Sequence, residues 1–232
     1  NVPVELRTDF LLIPDSTTGT LDEWSMEITR VSPGSGEVLV NTTTAGDQKY
    51  SSVAMDSSGA YIITWSGYGN QDGEEDASGY GVFYQRFDVA DTPVDGETRA
   101  NSQTTGDQWM SSVDVDAEGN FVIVWTSNGQ DGSSKGVYAR QFNADGTPRT
   151  AVMQVNTYTA GYQSDPSVAI DDAGRFVVAW HSDDQDGSGR GVYARRYHAD
   201  GTPDGGSFRV NTYTESDQLY ATVAMSASGE SV

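Results

Sequence analysis

Oxygen-bearing side chains recur in three loops of this sequence, each built around a Gln-Asp-Gly triplet. In the last of these loops Asp184, Asp186 and Ser188 follow one another at short intervals, and Asp72 and Asp131 hold the matching place in the two earlier loops. Carboxylate and hydroxyl oxygens in a glycine-rich loop are ligands that Ca²⁺ accepts. The pattern therefore offers calcium as a candidate cofactor, while plain turn formation by the Asp-Gly pairs is the favoured interpretation.

Amide and indole side chains flank the same loops and could bind an organic ligand. A glutamine precedes each aspartate, and a tryptophan ends each apolar run that leads into a loop. The predicted ligand-binding set is Gln71, Gln130, Gln185, Trp65, Trp125 and Trp180. Indole rings stack on sugars, but they also fill apolar cores. Both uses of the tryptophans remain open at this point.

Catalytic patterns are scarce. A general base needs an oriented partner, and the two histidines, His181 and His198, show none in the sequence. His181 stands where other copies of a repeat, described below, have Ser66 or Thr126. No G-x-S-x-G nucleophile motif occurs, and the absence of cysteine excludes thiol catalysis. The sequence therefore predicts that the chain is not an enzyme.

The charge balance narrows the choice of partners. Thirteen basic residues stand against 34 acidic ones, giving a formal net charge of −21. Such a chain lacks the cationic surface that phosphates bind, so we expect neither nucleic acid nor membrane insertion. The chain carries no apolar stretch long enough for a transmembrane helix. Because it begins with Asn rather than Met, we expect a mature or excised piece.

A repeat organises the whole chain. Asn101, Asn156 and Asn211 open copies about 55 residues apart, and Asn41 opens another. The sequence thus divides into copies over residues 1–41, 42–100, 101–155 and 156–210, with a partial copy over 211–232. The first copy is degenerate, as terminal copies often are. We predict one repeat-built domain over residues 1–232.

Each copy contains four short β-branched or aromatic runs separated by Gly, Asp and Pro turns, with no helical period. This is typical of an all-β β-propeller with four-stranded antiparallel blades. The runs at 61–65, 121–125 and 176–180 are the predicted second strands. A β-solenoid and a string of sandwiches are the alternative folds. The four near-complete copies plus the partial fifth could form a closed four-bladed ring or a window of a larger propeller.

In such a blade the loop between the second and third strands and the connection from the fourth strand to the next blade emerge on one face. We call this the polar-loop face, because here it carries the Gln-Asp-Gly loops and the Asn-Thr connections. Loops on a rigid scaffold concentrate binding residues, so this face is the predicted binding surface. The recurrent Asn and Gln of the connections could equally bond the backbone.

Strings such as PSVAIDDAGRFVVAW and QDGSGRGVYARR resemble tandem repeats of large secreted bacterial adhesins and calcium-dependent exported proteins. The resemblance covers residues 41–232 and rests on a repeat pattern, not on a catalytic motif. It implies an extracellular, secreted or cell-surface location.

Together these observations predict a non-enzymatic binding or adhesion module that takes a glycan or protein ligand through the polar-loop face. A structural subunit that self-associates in an extracellular assembly is the alternative, and a propeller-based hydrolase or lyase is the least favoured reading.

Overall fold

The computed structural model of the protein describes residues 38–69 and 79–232, and every structural statement below concerns these residues. They form twelve strands and no helix. The first blade contains β1 (Gln48–Met55), β2 (Tyr61–Tyr68), β3 (Tyr80–Phe87) and β4 (Pro93–Arg99). The second contains β5 (Gln108–Val115), β6 (Phe121–Asn128), β7 (Lys135–Phe142) and β8 (Met153–Gln154). The third contains β9 (Gln163–Ile170), β10 (Phe176–Asp183), β11 (Arg190–Tyr197) and β12 (Phe208–Arg209).

Every strand pairs with its neighbours in chain order, so each blade is an antiparallel four-stranded meander. The predicted second strands at 61–65, 121–125 and 176–180 fall within β2, β6 and β10. The prediction of an all-β propeller is therefore confirmed. The degenerate copy over residues 1–41 lies outside the described residues except for its last four positions. None of the described residues forms a helix that is long and apolar enough to cross a membrane.

The core lies between successive blades. One apolar cluster joins Ile62 and Tyr84 of the first blade to Phe121 and Trp125 of the second. A second cluster joins the second blade to the third in the same way and includes Trp180. Removing such side chains from water is the dominant stabilising term in folding. Adjacent blades are thus held together mainly by the faces of their sheets.

A buried amide pair links the polar connections to the sheets. Asn156 Oδ1 accepts a hydrogen bond from the N–H of Val137 at 2.8 Å, and its Nδ2 donates to Gln163 Oε1 at 3.2 Å. Asn101 makes the same two bonds, to Val82 and Gln108, one blade earlier. The recurrent Asn and Gln therefore satisfy buried backbone groups, the structural use that the sequence left open.

Candidate functional site

The Gln-Asp-Gly aspartates are bonded within the protein. Asp131 Oδ1 accepts from the N–H of Ser133 at 3.0 Å, and Oδ2 accepts from Asn156 Nδ2 at 3.4 Å. A Cβ on Gly136 would lie 2.8 Å from Asp131 Oδ2, so the missing side chain makes room for the carboxylate. These contacts join the loop of one blade to the connection that leads into the next. The two predicted loop sets therefore share one face.

The third blade repeats this arrangement. Asp186 accepts from the N–H of Ser188 and from Asn211 Nδ2, both at 3.4 Å. Asp184 lies at the loop's turn with a positive φ of 53°. No group of three or more His, Cys, Asp or Glu side chains that could hold a metal ion occurs in the described parts of the chain. Calcium binding at Asp131, Asp184, Asp186 and Ser188 stays a prediction.

The two predicted glutamines that the structure describes have different surroundings. Gln130 Oε1 accepts from the Ser127 hydroxyl at 2.8 Å. Gln185 Oε1 is buried without a hydrogen-bond partner among the described residues. Gln71 and Asp72 lie outside the described residues.

The three tryptophans are core residues. Trp65, Trp125 and Trp180 are 3 %, 0 % and 1 % exposed. Their indole N–H groups have no hydrogen-bond partner in the described structure. A ring enclosed in this way has no face open to a sugar, so the prediction that these rings bind a ligand is corrected here. The packing interpretation explains their recurrence, because each blade presents one face to a neighbour.

Each tryptophan lies opposite a β-bulge in the first strand of its blade. The first and second strands pair regularly except where two residues oppose Trp65, Trp125 or Trp180. One residue of each bulge has a positive φ: Tyr50 at 56°, Met110 at 53° and Asp165 at 52°. Such a backbone conformation is uncommon for residues other than glycine. Bulges re-aim side chains and are frequent beside functional sites.

The bulges meet in a cavity that we call the first-strand cavity. It has a volume of about 530 Å³ and is lined by residues 50–51, 110–112, 165–167 and 220–222. Tyr220, which has a φ of 56°, belongs to the partial copy and occupies the position equivalent to Tyr50. Both tyrosines are exposed. Of the described residues in this lining, Asp165 alone carries a formal charge.

Two buried side chains stand behind this carboxylate. His181 is 2 % exposed, and its Nδ1 lies 3.3 Å from Asp165 Oδ2. On the other side of the ring, His181 Nε2 lies 2.8 Å from Ser164 Oγ. The sequence prediction that His181 lacks an oriented partner is therefore wrong. His198, by contrast, is exposed and lies 3.8 Å from Asp204.

The surroundings of His181 favour the neutral imidazole. Burial lowers the pKa of His181 below its usual range, while the Asp165 carboxylate opposes the shift by favouring the imidazolium. Arg190 and Lys135 also lower the pKa, and Asp183 raises it. Arg190 is itself paired with Asp183 at 2.8 Å. A neutral ring can accept at one nitrogen and donate at the other.

Sequence reasoning missed this cavity although the repeat contains a signal for it. Aligned copies place Asp165 where the others have Tyr50, Met110 and Tyr220. A carboxylate that interrupts an otherwise apolar or aromatic position marks the site. The bulge that turns this position toward the cavity is invisible in an alternating apolar pattern.

No protein-family model matches the chain, and none of the curated proteins matches it. Solved structures do match. An endo-arabinase from Bacteroides thetaiotaomicron aligns with a TM-score of 0.51 at 15 % identity, covering 84 % of this chain and 72 % of that one. This likeness supports the propeller fold.

Two further structures contain bound arabinobiose. A Penicillium chrysogenum α-L-arabinanase aligns with a TM-score of 0.49 at 13 % identity, covering 75 % of this chain and 51 % of its own. A Fusarium graminearum α-L-arabinofuranosidase aligns with a TM-score of 0.48 at 12 % identity, covering 74 % and 53 %. This chain spans about half the length of these two proteins.

These comparisons correct the functional prediction. The structure that aligns with a TM-score of 0.51 is an endo-arabinase, not an adhesin. The predicted non-enzymatic adhesion module, its alternative as a structural subunit, and the prediction that the chain is not an enzyme are contradicted by this finding. The resemblance to secreted adhesin repeats stays an untested expectation.

Proposed function

We propose that this protein is a glycan-directed enzyme of the propeller type, with the first-strand cavity as its sugar-binding site. The observation that carries the proposal is Asp165, a carboxylate set on a bulge and facing a cavity flanked by exposed tyrosines. Aromatic faces stack on sugar rings, and the hydroxyls of Ser51, Ser112 and Ser167 offer donors and acceptors to sugar hydroxyls. The fold shared with an endo-arabinase supports the same class of substrate.

Asp165 is the acid–base candidate. A carboxyl group at this place can give a proton to a leaving glycosidic oxygen or take one from an attacking water. Glycoside hydrolysis by the two-carboxylate route needs a second carboxyl group, about 5 to 9.5 Å away. Among the described residues that line the cavity, Asp165 is the only carboxylate, so the second carboxyl group of that route is not among them. Our proposal for the described residues is therefore glycan binding with Asp165 as one of the proton-transfer groups.

The protein's negative net charge disfavours anionic glycans as substrates. A net charge of −21 repels uronate-rich and sulfated chains, and the charge within the cavity lining has the same sign. We propose neutral or cationic glycans as the substrates. The location implied by the sequence resemblance, outside the cell, is compatible with such substrates and is part of the proposal.

The test is a panel of oligosaccharides measured by calorimetry and by release of reducing ends. We expect arabino- or xylo-oligosaccharides to bind and oligogalacturonate not to bind. Asp165→Asn should lower turnover about a hundredfold or more, because a proton-transfer group contributes that much. Asp172→Asn is the matched control, since it removes the same charge from an exposed turn residue outside the cavity lining. Absence of binding to every neutral and cationic glycan would make the proposal wrong.

A further inference from the structure

The departures from the repeat are concentrated in one blade and around one side chain. At the bulge, Asp165 replaces the neutral residues of the other copies. The residue just before it is Ser164, where the first two blades have Lys49 and Trp109. The residue after the tryptophan is His181, in a position that is a small hydroxyl residue in the first two blades. His181 follows Asp165 by 16 positions and Ser164 by 17, yet its ring contacts both side chains, which indicates a built group rather than drift.

In the first two blades the position after the tryptophan has a structural task. The Ser66 hydroxyl accepts the N–H of Met110, the bulge residue of the next blade, at 3.1 Å. The Thr126 hydroxyl accepts the N–H of Asp165 in the same way at 3.2 Å. His181 abandons that pattern, because its ring contacts Ser164 and Asp165 within its own blade. The inter-blade link has been exchanged for a contact with the cavity carboxylate.

We propose that His181, oriented by Ser164, is a positioning residue that fixes the direction of the Asp165 carboxylate in the first-strand cavity. This inference rests on the proposed function, since it concerns the same site. The Ser164 hydroxyl lies 2.8 Å from Nε2; in the tautomer in which this hydroxyl donates to Nε2, the ring proton is on Nδ1, the nitrogen that faces Asp165 Oδ2. Nδ1 is buried and has no hydrogen-bond partner in the described structure. Asp165 Oδ2, 3.3 Å away, is the acceptor that the proposal assigns to this N–H.

The exposure of Ser164, His181 and Asp165 to the cavity indicates the role of each side chain. Ser, His and Asp together are the residues of a nucleophilic triad, but here Asp165 lines the cavity whereas Ser164 and His181 do not. Ser164 is 4 % exposed and lies on the far side of the imidazole. A buried serine cannot reach a substrate carbon, so this group is not a serine nucleophile. His181 can act only through Asp165.

The charged groups around the His181 ring act on its pKa in opposite directions. Asp165 and Asp183 favour the imidazolium, whereas Arg190 and Lys135 oppose it. The Tyr220 ring lies 6.5 Å from His181, edge to face. A neutral ring with its proton on Nδ1 presents a donor 3.3 Å from Asp165 Oδ2, whereas an imidazolium would form an ion pair with the carboxylate. The pH dependence of sugar binding should therefore report His181.

His181→Thr is the decisive variant, because threonine is the residue at the equivalent position of the second blade. We expect it to fold, since Thr126 shows that a hydroxyl is accepted there. Glycan affinity or turnover should fall about tenfold to a hundredfold, the range that misplacement of a reacting group produces. His181→Gln, which keeps an N–H donor without a titrating ring, should recover part of the loss and flatten the pH profile. His198→Thr is the matched control, because it removes the exposed histidine that lies outside the cavity lining, and it should equal the wild type at every pH.

A second measurement needs no glycan. The imidazole of His181 can be titrated by NMR in the ligand-free protein, and Asp165→Asn should lower its midpoint because the neighbouring carboxylate is gone. An unchanged midpoint would overturn the inference, and so would a His181→Thr variant that equals the wild type in glycan assays at every pH. If no glycan binds to the wild type, the proposed function fails, and the midpoint shift alone decides whether the two side chains are coupled.

Discussion

The second and third blades are two versions of one unit that differ where chemistry would occur. Their strands have the same lengths, and each has a bulge opposite a buried tryptophan and an Asn–Gln pair at its entrance. The second blade presents Met110 at the bulge and uses Thr126 to hold the next blade. The third presents Asp165 and places His181 behind it. The shared residues thus build the scaffold, and exchanges at three positions, Ser164, Asp165 and His181, place a reactive group on it.

The largest expected effect concerns what the two blades share. Trp125→Ala and Trp180→Ala should each lower the free energy of unfolding by about 3–5 kcal/mol, because each removes a buried large aromatic side chain. Urea denaturation of both variants measures this, with the conservative Trp125→Phe as a milder control. A loss of 1 kcal/mol shifts Tm by about 2–4 °C in a domain of this size. Variants that melt within about a degree of the wild type would therefore contradict the core role of the rings and make them candidates for a binding surface again.

A second prediction uses the pH dependence of stability to test the feature that distinguishes the third blade from the second, the buried His181. The pKa of His181 is lowered in the folded protein, so below the unfolded value of about 6.5 the unfolded chain binds more protons than the native state. The contribution of the neutral ring to the free energy of unfolding is therefore fully present above about pH 6.5, and it declines as the pH falls below that value. Unfolding free energies measured at about pH 7.5 and about pH 5 should differ less in His181→Thr than in the wild type. Equal pH dependence in both proteins would contradict the burial of a neutral histidine.

The smallest expected effect concerns the polar-loop face, where the two blades are alike. We expect calcium to raise Tm above its value in chelator and sodium chloride of matched ionic strength, which controls for screening of the net charge. The rise should be modest because Asp131 and Asp186 already accept hydrogen bonds from neighbouring groups. The double variant Asp131→Ala, Asp186→Ala should lose it. Equal melting temperatures in the two salts would leave these loops as turns.

The repeat let the sequence determine much of the architecture. The strands, their antiparallel order and the place of the tryptophans follow from alternating runs and turn residues, which are local properties of the chain. The buried role of the recurrent Asn and Gln was one of two readings that the sequence allowed. The choice between them needed the neighbouring strand, because Asn156 bonds to Val137.

The candidate site was decided by the tertiary structure. A bulge inserts one extra residue into a strand and turns a side chain toward a new direction, and no periodicity records that insertion. Asp165 and His181 belong to different strands, and the cavity is lined by residues of three first strands, β1, β5 and β9, together with the segment 220–222. The sequence by itself therefore determined a propeller and its core, because local propensity and burial patterns are written along the chain. The packing of successive blades decided which aspartate faces a cavity and which aspartates only hold the loops together.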